Sequence, residues 1–326
     1  MRNLFLLLVS LFSFWQQQHV VCHAWVLPSS VSSSRDIRSS LYAETTTSSA
    51  SSSSSLTIVP NSGQPQDLQR AAAFMVDAFW LGTPRQQIHN TDDDDSNTPV
   101  SESARTALMN HQFTDFTEKY GERMGQRLCE SILLEAHDND ADTNSLLGLV
   151  GLEVTLVQQT IDSYSLLSTT VAEQVLQSAV ASLGPKQRRQ FKSATAPEIA
   201  TNLLLLGKED ESMMTACATL VNLAVSPHAR RRGVAKALCL ALEDVILQQQ
   251  QQQQQQSSNS DYTISKLLLQ VEADNTAARA LYEECLGYEL LATLPRATAM
   301  RANAATGEFE SLDNVESLIL QKTIGG

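Results

Sequence analysis

A chain of 326 residues with an apolar fraction of 42% is long enough for one large domain or two small ones. Its formal charge of −13, with no long Lys/Arg block, argues against a protein that holds nucleic acid through a basic face. The acidic balance favours cationic substrates, amines or basic peptides. The five cysteines, Cys22, Cys129, Cys217, Cys239 and Cys285, form no C-x-x-C pair and no His/Cys cluster at metal-ligand spacing, so no metal site is expected. Those beyond Cys22 sit in apolar segments and read as core thiols in a reducing compartment.

Met1-Arg2 is followed by an apolar run from Leu4 to Trp15, too short for a membrane span of about 20 residues. It fits the apolar region of a signal peptide over residues 1–24, with Cys22 and Ala24 as the small residues before a cut. Trp25-Val26-Leu27-Pro28 then leads into a Ser/Thr/Ala-rich stretch to residue 56, read as a disordered transit-like segment. An aromatic residue directly after the cut, followed by such a segment, resembles the bipartite presequence of diatoms and related algae. That resemblance implies a plastid reached through the endoplasmic reticulum, with secretion as the alternative. Either way no membrane attachment is expected after processing, and the folded domain is placed at 57–326.

Within that domain the apolar spacing predicts a helix over Asp67–Trp80, with Asp67 as its N-cap and Leu68, Ala71, Ala72, Met75, Phe79 and Trp80 on one face. The acidic run at 91–97 lacks the glycine turn and terminal glutamate of a calcium loop and reads as a solvated loop. A second helical pattern runs from Ser103 to Leu128, anchored by Leu108, Phe113, Phe116, Tyr120 and Met124. Two apolar runs, Ser131–Ala136 and Leu146–Val157, joined by a polar turn, predict a β-hairpin. Residues 158–213 read as a helical insert, with Val171, Val175, Leu176, Val180 and Leu183 at helical spacing and a basic cluster at Lys186, Arg188, Arg189 and Lys192. A substrate-shaping lid is the other reading of this stretch. A buried strand over Thr215–Val225 is followed by a helix from Arg232 to Leu247, and the polyglutamine run within 248–260 is expected to form a loop. A second buried strand (Leu267–Val271), a helix (Thr276–Cys285) and two strand-like runs near 288–294 and 317–324 close the chain. This order suits a mixed α/β sheet with helices on both faces.

The chemistry concentrates in two segments. In the first, Leu223-Ala224-Val225-Ser226-Pro227-His228-Ala229-Arg230-Arg231-Arg232-Gly233-Val234-Ala235-Lys236, a buried strand runs through a tight turn into a helix N-terminus. The N–H groups of a first helical turn lack internal partners and carry the positive end of the dipole, so they offer a site for a pyrophosphate. Gly233 admits a close backbone approach, Ala235 keeps it open, and the arginines add charge. No Gly-x-x-x-x-Gly-Lys or Gly-x-Gly-x-x-Gly loop occurs, so nucleotide hydrolysis and dinucleotide binding lack support. In the second segment a strand leads into Asn275-Thr276-Ala277-Ala278-Arg279-Ala280-Leu281-Tyr282 and then Gly287-Tyr288.

The first segment resembles motif A of the GNAT acetyltransferase superfamily, Arg/Gln-x-x-Gly-x-Gly/Ala, filled by Arg230, Gly233 and Ala235. The second resembles the family's motif B, Asn-x-x-Ala-x-x-Leu-Tyr followed by Gly and an aromatic, with each fixed position matched. The resemblance covers roughly residues 215–295. It implies a GNAT fold, whose mixed and mostly antiparallel sheet splays at a central V, and acetyl-coenzyme A as co-substrate. It further implies that main-chain groups of Leu223, Ala224 and Val225 pair with the pantetheine arm, that Arg230, Arg231, Arg232, Gly233, Val234, Ala235 and Lys236 surround the pyrophosphate, and that Asn275 contacts the coenzyme. By the same resemblance Tyr282 is the general acid towards sulfur. Some family members use a glutamate as base where this chain has Gln270, so Glu272 is taken as the base, with Glu153 of the hairpin acting through water as another choice. The motif wording is similar to plastid enzymes that acetylate protein α-amino groups and lysine side chains. Protein N-termini or lysine-bearing peptides are the expected partners; a small-molecule amine acceptor and a non-catalytic acetyl-coenzyme A-binding module are the alternatives.

Overall fold

The computed structural model describes residues 56–83, 86–88, 100–122, 128–138, 145–160, 163–192, 194–204, 213–256 and 264–325, with side chains 252–256 excepted. The expected leader, almost all of the transit-like segment, the acidic run at 91–97 and the Ser-rich tail of the polyglutamine segment lie outside these residues.

The first strand, β1 (Leu56–Pro60), was not foreseen; it pairs antiparallel with β3 (Ser131–Asp138). Helix α1 (Pro65–Met75) widens into a π-helical turn over Val76–Trp80. It starts on Pro65, whose missing N–H costs nothing in a first turn. Asp67 is therefore not the N-cap but a first-turn acid, and it accepts a hydrogen bond from the Ser62 hydroxyl. Helix α2 (Glu102–Tyr120) is capped by the Ser101 hydroxyl, which accepts from the N–H of Ala104 at 3.1 Å. It stops at Gly121, short of the expected Leu128, where the chain turns extended, and Met124 lies outside the described residues.

The expected hairpin forms from β3 and β4 (Leu146–Gln159). The insert that follows carries a short strand β5 (Tyr164–Leu166), helix α3 (Thr169–Ala181) and two single-turn helices, α4 (Pro185–Arg188) and α5 (Ala196–Ile199). It is largely helical. The buried face of α3 runs through Ala172, Leu176 and Ala179, so it is rotated from the valine-rich face the spacing suggested. The basic cluster Lys186, Arg188, Arg189 and Lys192 is exposed.

Strand β6 (Met213–Val225) leads to α6 (Val234–Gln256), then β7 (Lys266–Glu272), the short α7 (Thr276–Arg279) with a π-helical turn to Cys285, and two long strands, β8 (Glu289–Asn303) and β9 (Phe309–Thr323). The glutamine run does not form the expected loop: α6 continues through it to Gln256. Glutamine is a good helix former and no breaker stands between Leu247 and Gln256, so the helix propagates. Gln250 also donates to the Ile264 carbonyl at 2.6 Å.

The nine-stranded sheet has the order β1-β3-β4-β6-β7-β9-β8-β2, where β2 is Gln87–Ile88 and β5 pairs with β4 off the main path. Most pairs are antiparallel; β6–β7 and β2–β8 are parallel. One face buries Val150, Leu152, Leu267 and Leu269 against Leu238 and Leu242 of α6. The other packs Leu133 and Leu149 against Leu68 and Met75 of α1 and Phe116 of α2. Side chains of this kind each contribute about 1.5–3 kcal/mol on full burial.

Candidate active site

The central strands β6 and β7 share only two ladder pairs, Ala218↔Leu267 and Thr219↔Leu268. Beyond Thr219, β6 runs on to Val225 bonded to β4 alone, so the two strands part and the sheet opens as a V. Leu223, Ala224 and Val225 thus line the opening with one main-chain edge that has no strand partner. Ala224 is buried, and Leu223 and Val225 are half-buried.

From Val225 the chain passes through a 3-10 turn, Pro227–Ala229, into the N-terminus of α6. Arg231 and Gly233 both take positive φ, +64° and +84°, on either side of Arg232. Alternation of this kind gathers successive N–H groups on a concave face that suits an anion. The first bond of the helix runs from the N–H of Ala237 to the carbonyl of Gly233 at 3.0 Å, so the N–H groups of Gly233 to Lys236 precede the helical ladder. A Cβ on Gly233 would meet nothing within 4 Å. The need for glycine there is its φ, not a crowded backbone.

The expected cationic residues separate into two groups. Arg231 and Lys236 are exposed beside the turn, and Arg232 is exposed with its guanidinium 3.5 Å from Asp138. Arg230 has a different task. Its Nη2 donates to the carbonyls of Ala78 (3.0 Å) and Gly82 (3.3 Å), and its Nε to that of Val225 (3.4 Å). The side chain thereby ties the end of the first helix to the motif turn; cations favour such carbonyl ends. Val234 is buried and Ala235 half-buried at the start of α6.

On the β7 side, the Asn275 carboxamide caps α7 by accepting from the N–H of Ala278 at 3.2 Å. Tyr282 lies in the π-helical turn, 7% exposed, with its ring 5.7 Å from that of Tyr288 in a T-shaped contact. Burial holds the Tyr282 phenol well above its ordinary range, and nearby Cys239 adds to this. It is therefore a neutral hydrogen-bond donor.

Neither carboxylate offered as base stands open. Glu272 is gripped by Arg301 of β8, Nη1 to Oε1 at 2.8 Å and Nη2 to Oε2 at 2.9 Å. Its geometry is that of an anchor for the β8–β9 arm, not that of the base expected from sequence. Glu153, 5% exposed on β4, accepts from the Tyr120 hydroxyl at 3.2 Å and from the Thr169 hydroxyl, and lies 3.4 Å from Lys119 Nζ. Gln270, in the place where some family members have a glutamate, is exposed. Two residues at the site stood outside the sequence motifs: Arg301, and Asn222, a β6 residue with φ +55°. An asparagine within an apolar strand was the available signal for the second; nothing in the sequence marked the first.

The cysteines divide likewise. Cys129, Cys217 and Cys239 are buried, and burial pushes each thiol up to about 12. Cys285 departs from the core-thiol expectation: it is exposed.

A V between two parallel strands, an open main-chain edge on one arm, an anion-suited turn at its end and a buried phenol beyond the other arm are the features that the resemblance to the GNAT N-acetyltransferases, acyltransferases whose co-substrate is acetyl-coenzyme A, implies. Residues 204–288 match the acetyltransferase (GNAT) family model, from just before β6 to Tyr288; the chain carries a GNAT acetyltransferase domain. No curated protein matches the chain. Among solved structures it resembles Arabidopsis thaliana NAA60 in complex with acetyl-CoA (15% identity, 83% of this chain and 100% of that one, TM-score 0.39). It also resembles the ribosomal-protein-S18-alanine N-acetyltransferase from Escherichia coli (16%, 83% and 95%, TM-score 0.37). A spermidine N-acetyltransferase SpeG chimera from Vibrio cholerae and hSSAT is matched at 12% identity, over 82% and 95% of the two chains, with a TM-score of 0.37. These likenesses assign no acceptor.

Proposed function

We propose that this acetyltransferase acts on protein amino groups, α-amino groups before lysines, and that it does so in a plastid. The observation that carries the acceptor is the engagement of both carboxylates near the V: Glu272 by Arg301 and Glu153 by Tyr120, Thr169 and Lys119. An acceptor suited to such a site loses its proton with little help. An α-amino group, with a pKa near 7.7–8.0, meets that condition far better than a lysine near 10.4.

In this reading the open edge of Leu223 to Val225 binds the pantetheine arm, and the turn from Arg231 to Lys236 takes the pyrophosphate on its N–H groups and exposed cations. Asn275 borders the coenzyme at the mouth of the opening. The neutral amine attacks the thioester carbonyl, a C–N bond forms and the C–S bond breaks. The amine proton leaves to water, Tyr282 donates its hydrogen to the departing sulfur, and the phenolate then takes a proton back from water. The β8–β9 arm, tied back to β7 through Arg301 and Glu272 and exposing Leu290, Met300 and Leu312, offers a peptide an extended surface beside the opening.

Plastid location rests on the leader alone: the apolar run, Trp25 after Ala24, and the Ser-rich segment. The acceptor is tested by thiol release from acetyl-coenzyme A with N-terminal peptides, N-terminally blocked lysine peptides and polyamines. Turnover highest on free N-termini supports the proposal, and turnover confined to polyamines overturns it.

A further inference from the structure

We propose that Tyr120 of α2 is a positioning residue for the coenzyme-binding edge of β6, acting through Asn222. The ladder between β4 and β6 slips at this point. Val221 stands opposite Gly151 and Ala224 opposite Leu149, so Asn222 and Leu223 together face the single residue Val150. Such a bulge bends its strand and increases the local twist. Here it lies directly before Leu223, Ala224 and Val225, and so sets the direction in which their peptide groups enter the V.

Asn222 makes the bulge by adopting φ +55°, a conformation unfavourable to a residue with a side chain, though asparagine tolerates it better than most. What holds it there is a chain of side chains. Asn222 Nδ2 donates to the Tyr120 hydroxyl at 2.9 Å, and that hydroxyl donates to Glu153 Oε1 at 3.2 Å. The other Glu153 oxygen accepts from the Thr169 hydroxyl, and Lys119 Nζ lies 3.4 Å from Oε1. Tyr120 is 3% exposed and Glu153 5%, so the chain is shielded from competing water. The strand is shaped to admit it: a Cβ on Gly151 would lie 2.3 Å from the Tyr120 hydroxyl oxygen. Helix α2, strand β4 and the insert helix α3 thus converge on one strained residue at the coenzyme edge.

The inference rests on the reading that Leu223 to Val225 bind the coenzyme, and a double-mutant cycle separates the two. Acetyl-coenzyme A affinity is measured by calorimetry, with thermal stability alongside, on the full chain and on Tyr120→Phe, Asn222→Gly and the double variant. Tyr120→Phe keeps the ring that packs on Phe116 and removes only the hydroxyl. With Asn222 present it weakens coenzyme binding about fivefold, the scale of one lost hydrogen bond. In the Asn222→Gly background the same change alters affinity less than about twofold, because glycine holds positive φ without a side-chain partner. Asn222→Ala, which cuts the same bond from the other end, weakens binding like Tyr120→Phe and serves if that variant does not fold. Equal losses of affinity in both backgrounds, or none in either, overturn the inference. A wild-type chain that binds no acetyl-coenzyme A overturns the coenzyme reading, and this inference with it.

Discussion

Arg301 and Glu272 form a two-pronged ion pair between β8 and β7, at 2.8 and 2.9 Å, with side chains only 8% and 14% exposed. Arg301 also donates to the Met300 carbonyl at 2.9 Å and contacts Gln86 Oε1 at 3.4 Å. The pair joins a strand of the V to the far end of the long arm. Removing one partner leaves a buried charge without its counterion, which costs on the order of 3–5 kcal/mol. Arg301→Ala therefore lowers the urea midpoint strongly. Glu272→Gln, in which no carboxylate is left, keeps the pH dependence of turnover seen in the wild type. A Glu272→Gln enzyme whose profile loses its acidic limb would return Glu272 to the role of base.

Tyr282→Phe tests the donor to sulfur. The ring is buried against Tyr288 and the substitution preserves that contact. Turnover falls about 100-fold, the lower end of the general acid–base range, while acetyl-coenzyme A affinity and melting temperature stay near wild type. Single-turnover acetyl transfer against a peptide reads this directly, and unchanged turnover contradicts the assignment.

Two glycines fail for different reasons when given a methyl group. Gly233→Ala meets no atom but must hold φ +84°, at a cost of about 1–2 kcal/mol that is relieved if the turn reshapes. Its expected signature is weaker coenzyme binding with a nearly unchanged melting temperature. Gly151→Ala drives a Cβ to 2.3 Å from the Tyr120 hydroxyl and 2.9 Å from Val221, so its signature is a large loss of stability. Thermal melts and coenzyme titrations of both variants check the contrast.

Acid lability is expected from Glu135, 1% exposed on β3. Burial alone would raise its carboxyl, but His137 and Asn61 hydrogen bonds and the Arg70 guanidinium bring it below the usual value. A carboxylate depressed in the folded state contributes stability above its unfolded pKa and loses it as pH falls through the folded one. Wild-type stability therefore declines below about pH 4.5, where the unfolded carboxylate begins to take up its proton. Glu135→Gln starts less stable and shows a flatter acid limb in denaturant titrations at a series of pH values.

Most of the fold was legible because its buried strands and amphipathic helices carry the apolar periods that betray them. Thr215–Val225 and Leu267–Val271 are mostly apolar runs, and the structure makes them the two arms of the V. The middles of β8 and β9 were missed since they are largely exposed and the half-buried positions in the middle of β8 are small alanines that form no apolar run; a register slip spans Pro295. The polyglutamine helix was missed because composition suggested a loop where propensity sufficed for a helix. At the site, the motif residues border the V and the turn that follows it, but the uses of Arg230 and Glu272 depend on partners far away in the chain, Ala78 and Arg301. No local pattern encodes those pairings.

The leader gives a prediction of its own. Residues 1–56 fused to a fluorescent protein carry it into the plastid of a diatom, and changing Trp25 to Ala diverts it. Secretion of the unaltered fusion contradicts the plastid proposal.

The central claim is that acetyl groups pass from acetyl-coenzyme A to protein amino groups at this V. Its most direct test is tandem mass spectrometry of a peptide bearing both a free N-terminus and an internal lysine, after incubation with the enzyme and acetyl-coenzyme A. Acetylation is expected first at the α-amino group, and it is lost in Tyr282→Phe. Acetyl-coenzyme A bound without any peptide modified, while a small amine is acetylated in the same vessel, would contradict it.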